Sequence, residues 1–141
     1  MLYGSETWNT TQADEEALAV FERRVLRTIF GPIKVGEDYR IRHNDELYRL
    51  FQEADIVRIL QINRLRWAGH VIRRPEDAPV HATMKADFHD GKRSRGRQKN
   101  SWADNVAKDA EVLGIRDWKK VAKDRAKFRN FLNAAKGPRA C

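Results

Sequence analysis

The stretch from Ile56 to Pro75 constrains the chain most. It holds five arginines and no acid, yet its apolar residues fall on most sides of a helical wheel. Val57, Leu60, Trp67 and Val71 share one face, Ile56 and Ala68 flank it, and Ile59, Ile62 and Leu65 lie outside it. A helix apolar on so many sides has to be surrounded by other elements. This one, expected over about 55–74 and stopped by Pro75, therefore belongs at the centre of a bundle. Arg64 falls among the apolar positions. A buried guanidinium needs a counter-charge, and an acid from the front half is the expected partner.

The flanking sequence supplies the surrounding helices. Thr11, with Asp14 three residues on, opens a helix by a capping-box pattern; Leu18, Phe21, Val25 and Ile29 form its inward stripe, and Gly31-Pro32 ends it. Before it, Tyr3 and Trp8 are the expected anchors of an extended entry. Residues 31–43 read as a loop. Asn44 is the expected cap of a short helix with Leu47, Leu50 and Phe51 inward. Residues 79–86 suggest a helical turn. Ser101 with Asp104 starts a helix that buries Trp102, Val106, Ala110 and Leu113 and closes at Gly114. Asp117 then caps one last helix, with Trp118, Val121, Phe128 and Leu132 inward and Lys119, Lys120, Lys123 and Lys127 outward. No period-2 strand pattern and no repeat stands out. The expected fold is all-α: a bundle of four to five helices, with a thumb-like lobe over 1–85, a basic linker over 86–100, a helical hairpin over 101–135 and a frayed tail over 136–141.

Charge narrows the function. The chain of 141 residues carries 28 Lys and Arg against 20 Asp and Glu, a net charge of +8. Residues 1–55 hold 7 basic and 11 acidic side chains, residues 56–100 hold 11 and 4, and residues 101–141 hold 10 and 5. An acidic front and a basic remainder point to a polyanionic partner on one part of the molecule. The one cysteine, Cys141, allows neither an internal disulfide nor a cysteine-based zinc site. With no long apolar run and no signal-peptide pattern at the N-terminus, no membrane association is expected, and the expected location is intracellular, nucleus or cytoplasm.

Two basic features could hold phosphates. The run Lys92-Arg93-Ser94-Arg95-Gly96-Arg97-Gln98-Lys99 has five basic residues, no acid, and a glycine that permits close approach to a backbone. Its Arg95-Gly96-Arg97 centre resembles an AT-hook, with Gln98 where that motif has proline. On the central helix, Arg58, Arg66 and Arg73 are expected to project together, with His70 nearby. The bland alternatives are a solvated linker and a solubilising helix face. Trp8, Trp67, Trp102 and Trp118 could stack on bases, though core packing explains three of them better. Catalytic patterns are weak. The histidines show no paired ligand spacing, and no nucleophile motif or phosphate-binding glycine loop is present. His81, Asp87, His89 and Asp90 read as a polar loop rather than a metal site. Glu76, Asp77, Lys85 and Asp87 lack the specific spacing of a nuclease. No catalytic residue, metal or cofactor is expected.

Several stretches, taken in order, resemble one family. Leu2-Tyr3-Gly4-Ser5-Glu6-Thr7-Trp8 is similar to the segment after the palm of LINE-type (non-LTR) retrotransposon reverse transcriptases, and Phe21-Glu22-Arg23-Arg24-Val25-Leu26-Arg27-Thr28-Ile29 to the helix that follows it. Arg64-Leu65-Arg66-Trp67-Ala68-Gly69-His70-Val71-Ile72-Arg73 resembles that family's arginine, tryptophan and glycine-histidine helix. The basic run from Arg93 to Trp102 resembles its basic segment before a tryptophan, and Asp124-Arg125 with Phe128-Arg129 its closing pattern. The resemblance implies a thumb and post-thumb region, which packs on a template–primer duplex. It also implies that the polymerase carboxylates and the endonuclease lie outside this chain. The resulting expectation is a non-catalytic module that grips RNA or DNA through Arg58, Arg66, His70, Arg73, Lys92, Arg93, Arg95, Arg97 and Lys99. The alternative is a structural or protein-interaction module, or a retrotransposon remnant, with an acidic protein partner.

Overall fold

The computed structural model describes residues 2–81 and 101–137. A single 3-10 turn, Ser5–Thr7, precedes helix α1, Gln12–Phe30. A hairpin follows, β1 Ile33–Val35 and β2 Asp38–Arg40, then α2 Asn44–Phe51 and α3 Ile56–Ile72. The remainder is α4 Trp102–Val112, α5 Trp118–Lys123 and α6 Arg125–Ala134. Apart from the hairpin, the described fold is all-α, as the periodicity requires. The chain divides into two compact units, one of Thr10–Ile59 with Lys136–Cys141 and one of Met1–Asn9 with Leu60–Ala135. The division falls inside α3. The expected linker over 86–100 and most of the expected turn over 79–86 lie outside the described residues.

In the Thr10–Ile59 unit, α1 begins at the expected cap. Thr11 Oγ1 accepts the Asp14 N–H at 3.3 Å, and the Asp14 carboxylate accepts the Thr11 N–H at 2.8 Å. Gly31, at a φ of 64°, ends the helix. The buried stripe, however, is not the expected one. Leu26 is buried and Leu18 half-buried, while Phe21, Val25 and Ile29 are exposed. Polar bonds decide the rotation. Glu22 turns inward, taking the Tyr48 hydroxyl at 3.1 Å and the Ile56 N–H at 2.8 Å, and so caps the start of α3. Arg27 donates from Nη2 to Asn44 Oδ1 at 2.6 Å. Because Asn44 serves Arg27, the cap of α2 is His43, one residue earlier than expected; its N–H donates to Glu46 at 2.8 Å. Leu47 is fully buried and Phe51 half-buried, but Leu50 is 48% exposed.

The hairpin replaces part of the expected loop. Its strands pair antiparallel, Ile33 opposite Arg40 and Val35 opposite Asp38. Gly36 takes the positive φ, 65°, that a two-residue turn favours at its first position. Arg40 then anchors the hairpin, donating two hydrogen bonds to Glu46 at 2.6 and 2.9 Å.

In the other unit, the inward residues of α3 build the core. Ile62, Leu65 and Ala68 pack with Val106, Ala110, Ile115, Ala122, Phe128 and Leu132. Each large aliphatic side chain so buried stabilises the fold by roughly 1.5–3 kcal/mol. Ser101 caps α4 by the expected box, and Gly114, at a φ of 77°, follows its end. The entry segment is held here: Trp102 Nε1–H donates to the Glu6 carbonyl at 2.9 Å, and Asn105 to Asn9 at 2.7 Å. Trp8 is half-buried, but Tyr3 is fully exposed and anchors nothing. The single last helix of the sequence reading is two helices. Asp124 leaves the helical region (φ −87°, ψ 103°), and its carboxylate takes the N–H groups of Ala126 and Lys127, both at 3.1 Å. That side chain stops α5 and caps α6.

Candidate nucleic-acid interface

Arg64 is fully buried, as its place among apolar residues demands. Where an acid from the front half was expected, Asp109 on α4 pairs with it, Nε standing 3.1 Å from Oδ2. This inward pairing leaves Asn63, Arg66, Trp67, His70, Arg73 and Arg74 to the other side of the helix, at spacings of three, four and seven residues that repeat on one face. Trp67 lies here as well, 38% exposed rather than in the core, with its ring stacked on His70 at a centroid distance of 5.3 Å. Arg74 Nε–H donates to His70 Nε2 at 3.2 Å, and Arg66 Nη1 donates to Asn63 Oδ1 at 3.3 Å.

Two clefts flank this face. One, of about 220 Å³, lies between α3 and α6 and is lined by Arg66, His70, Arg73, Arg125, Phe128, Arg129, Leu132 and Asn133. None of these residues is acidic, so four guanidiniums and an imidazole converge on an apolar floor. The other, of about 400 Å³, is lined by Glu6, Asn63, Arg66, Trp67 and His70. Arg66 and His70 border both. Guanidinium forks over a shallow cavity suit phosphate oxygens, and an exposed indole stacked on an imidazole offers a face to a base. Arg73 has a structural duty too, donating from Nη1 to the Ala122 carbonyl, the penultimate residue of α5, at 2.6 Å.

Along its length the chain is 27% identical over 133 residues to a Caenorhabditis elegans protein named as transposon-derived, an alignment covering 91% of this chain. The likeness supports a transposon origin. The chain spans about half (48%) of the length of that relative. No family model matches the sequence, and no solved structure matches the fold.

Of the residues expected to hold nucleic acid, the structure gathers Arg66, His70 and Arg73 at one cleft. Arg58 is not among its lining residues. It is half-buried in the first turn of α3, within the Thr10–Ile59 unit, and its N–H donates to Asp55 Oδ1 at 2.9 Å. The eight-residue step from Arg58 to Arg66 rotates a helix by roughly 80°, at about 100° per residue. Lys92, Arg93, Arg95, Arg97 and Lys99 lie outside the described residues, as do Lys85, Asp87, His89 and Asp90. Sequence reading missed Arg125, Arg129 and Asn133. Their four-residue spacing puts them on one face of α6, but a helix assumed to run unbroken from Asp117 drew attention to its lysines instead. Among the described residues, no group of three or more His, Cys, Asp or Glu side chains could hold a metal ion, and no helix is long and apolar enough to cross a membrane.

Proposed function

We propose that this chain is a non-catalytic nucleic-acid-binding module related to the thumb region of a LINE-type reverse transcriptase, holding the backbone of a duplex or structured RNA. The observation that carries this reading is the convergence of Arg66, His70, Arg73, Arg125 and Arg129 on one cleft whose described lining has no acid. Net charge supports it, since the excess of base lies beyond residue 55. The likeness to a transposon-derived protein is compatible with it. Phosphate contacts dominate such binding, so affinity is mostly electrostatic and weakly sequence-specific. The basic run at 92–99 extends the grip in this proposal.

The test is binding of labelled duplex DNA, an RNA hairpin and an RNA–DNA hybrid across a salt series, with heparin as competitor. Salt-steep binding that prefers one duplex form is the expected outcome. In the Arg66→Ala and Arg129→Ala variants affinity should fall for every sequence, and the salt slope should shrink by about 1 each. Unchanged affinity in both variants, or heparin competing without any preference among duplexes, rejects the reading.

A further inference from the structure

Helix α1 carries two apolar stripes, and only one is covered. Leu26 is buried, whereas Val20, Phe21, Val25 and Ile29 are 53%, 42%, 39% and 67% exposed. Phe21, Val25 and Ile29, four residues apart, make one ridge along the helix, and Val20 stands about 100° or more away from it. Val20 lines a groove of about 500 Å³ on another face, with Pro32 and Ile41 also on its apolar side and Arg24, Arg27 and Arg42 on its basic side. Ile41 is 72% exposed. Two of the cations are held in place: Arg27 by Asn44, and Arg42 by the Gly31 carbonyl, which its Nε–H reaches at 3.0 Å. No acid is among the described residues lining the groove.

The surrounding charge separates the partners this surface could take. The unit, residues 10–59 and 136–141, holds ten Lys and Arg against ten Asp and Glu, so as a whole it does not attract a polyanion. A phosphate backbone in the groove would also leave Val20 and Ile41 in water. The complementary ligand is largely apolar with a few carboxylates at its edge. Exposed apolar ridges of this kind mark docking sites. We infer that α1 and its groove dock an amphipathic helix of a partner protein, apolar along one stripe and edged with Asp or Glu. The inference does not depend on the nucleic-acid reading, which concerns the other unit.

The probe is a fluorescein-labelled designed helix with leucines at i, i+3, i+4 and i+7 and flanking glutamates, titrated into the full chain. A lysine-flanked version and a labelled RNA hairpin are measured alongside. The glutamate-flanked peptide is expected to bind, and the lysine-flanked one to bind at least about tenfold more weakly. Arg24→Glu and Ile41→Asp change exposed side chains that line the groove. Each should weaken peptide binding by about tenfold or more while leaving hairpin binding and the helical circular dichroism signal unchanged. No binding of the glutamate-flanked peptide at millimolar concentration, or equal binding of the two peptides, overturns the inference. Variants that lose the hairpin and keep the peptide also overturn it.

Discussion

A methyl group has no room at position 69. A Cβ there would stand 2.8 Å from Cδ1 of Phe128, and nearer still to Cε1, and Phe128 is 98% buried by its neighbours. Gly69 thus lets α6 approach α3 closely enough to form the cleft. Gly69→Ala is expected to destabilise the fold by about 1–3 kcal/mol, the usual cost of overpacking, and to weaken RNA binding by displacing Arg125 and Arg129. Urea unfolding and the hairpin titration check the two halves separately. The Arg64–Asp109 pair makes a second prediction at this scale. Removing either partner leaves a buried charge, and Arg64→Met or Asp109→Leu alone should cost about 3–5 kcal/mol. The double variant, filling the same space with apolar groups, should recover most of that loss, to within about 1 kcal/mol of the parent. A double variant no more stable than the singles would mean that the pair does not act as a unit.

Between elements, two carboxylates respond to pH in opposite senses. The Arg40 guanidinium and the His43 N–H hold Glu46 at about 2, against an ordinary 4.5. Its stabilisation of the hairpin–α2 junction is present in full above 4.5 and is lost as pH falls toward and through 2. Burial raises Glu22 above 4.5, against the opposing hydrogen bonds from Tyr48 and Ile56. Ionised Glu22 therefore destabilises the native state above its raised value, and stability rises as pH falls from there toward 4.5. Glu22→Gln should abolish that rise, and Glu46→Gln should abolish the acid loss; thermal melts at several pH values distinguish them. Asp124→Ala removes the cap of α6 and should lower the melting temperature and the helical signal of the parent chain.

The same elements mark how far the sequence could be read. Caps at Thr11 and Ser101, and the glycine stops at positions 31 and 114, were legible because each depends on residues within one turn. The central role of α3 was legible from its all-round apolarity. The buried face of α1 was not, because Glu22 and Arg27 choose it through partners at positions 44, 48 and 56. Three-residue strands are too short to show alternation. Asp124 reads as an ordinary helix-surface acid until its own backbone is seen to be extended. For the site, Arg66, His70 and Arg73 were found from one helix. Their companions on α6 needed the tertiary packing of Phe128 against Gly69.

At the scale of the whole molecule, charge and apolar surface are divided between the two units. The excess of base sits beyond residue 55, with the arginine cleft in the unit containing Leu60–Ala135. An exposed apolar ridge sits on α1, in the unit whose acids and bases balance. Binding of an RNA hairpin should follow a log–log salt slope of roughly −4 to −7, for five to eight phosphate contacts across the cleft and the 92–99 run. Arg95→Ala with Arg97→Ala should make that slope shallower without loss of helicity. If the double variant keeps the parent's affinity and slope, the run contributes nothing.

The bond between Arg64 and Asp109 also acts as a gauge of length. The two residues stand on helices far apart in the chain, and neither charge is tolerable in the interior without the other. A gene copy interrupted between codons 64 and 109 yields a product that keeps Arg64 but lacks both Asp109 and the core residues beyond it. Such a product should unfold, be cut rapidly in limited proteolysis, and be cleared by the cell's quality control. This one contact makes survival of the folded product depend on retaining both segments together.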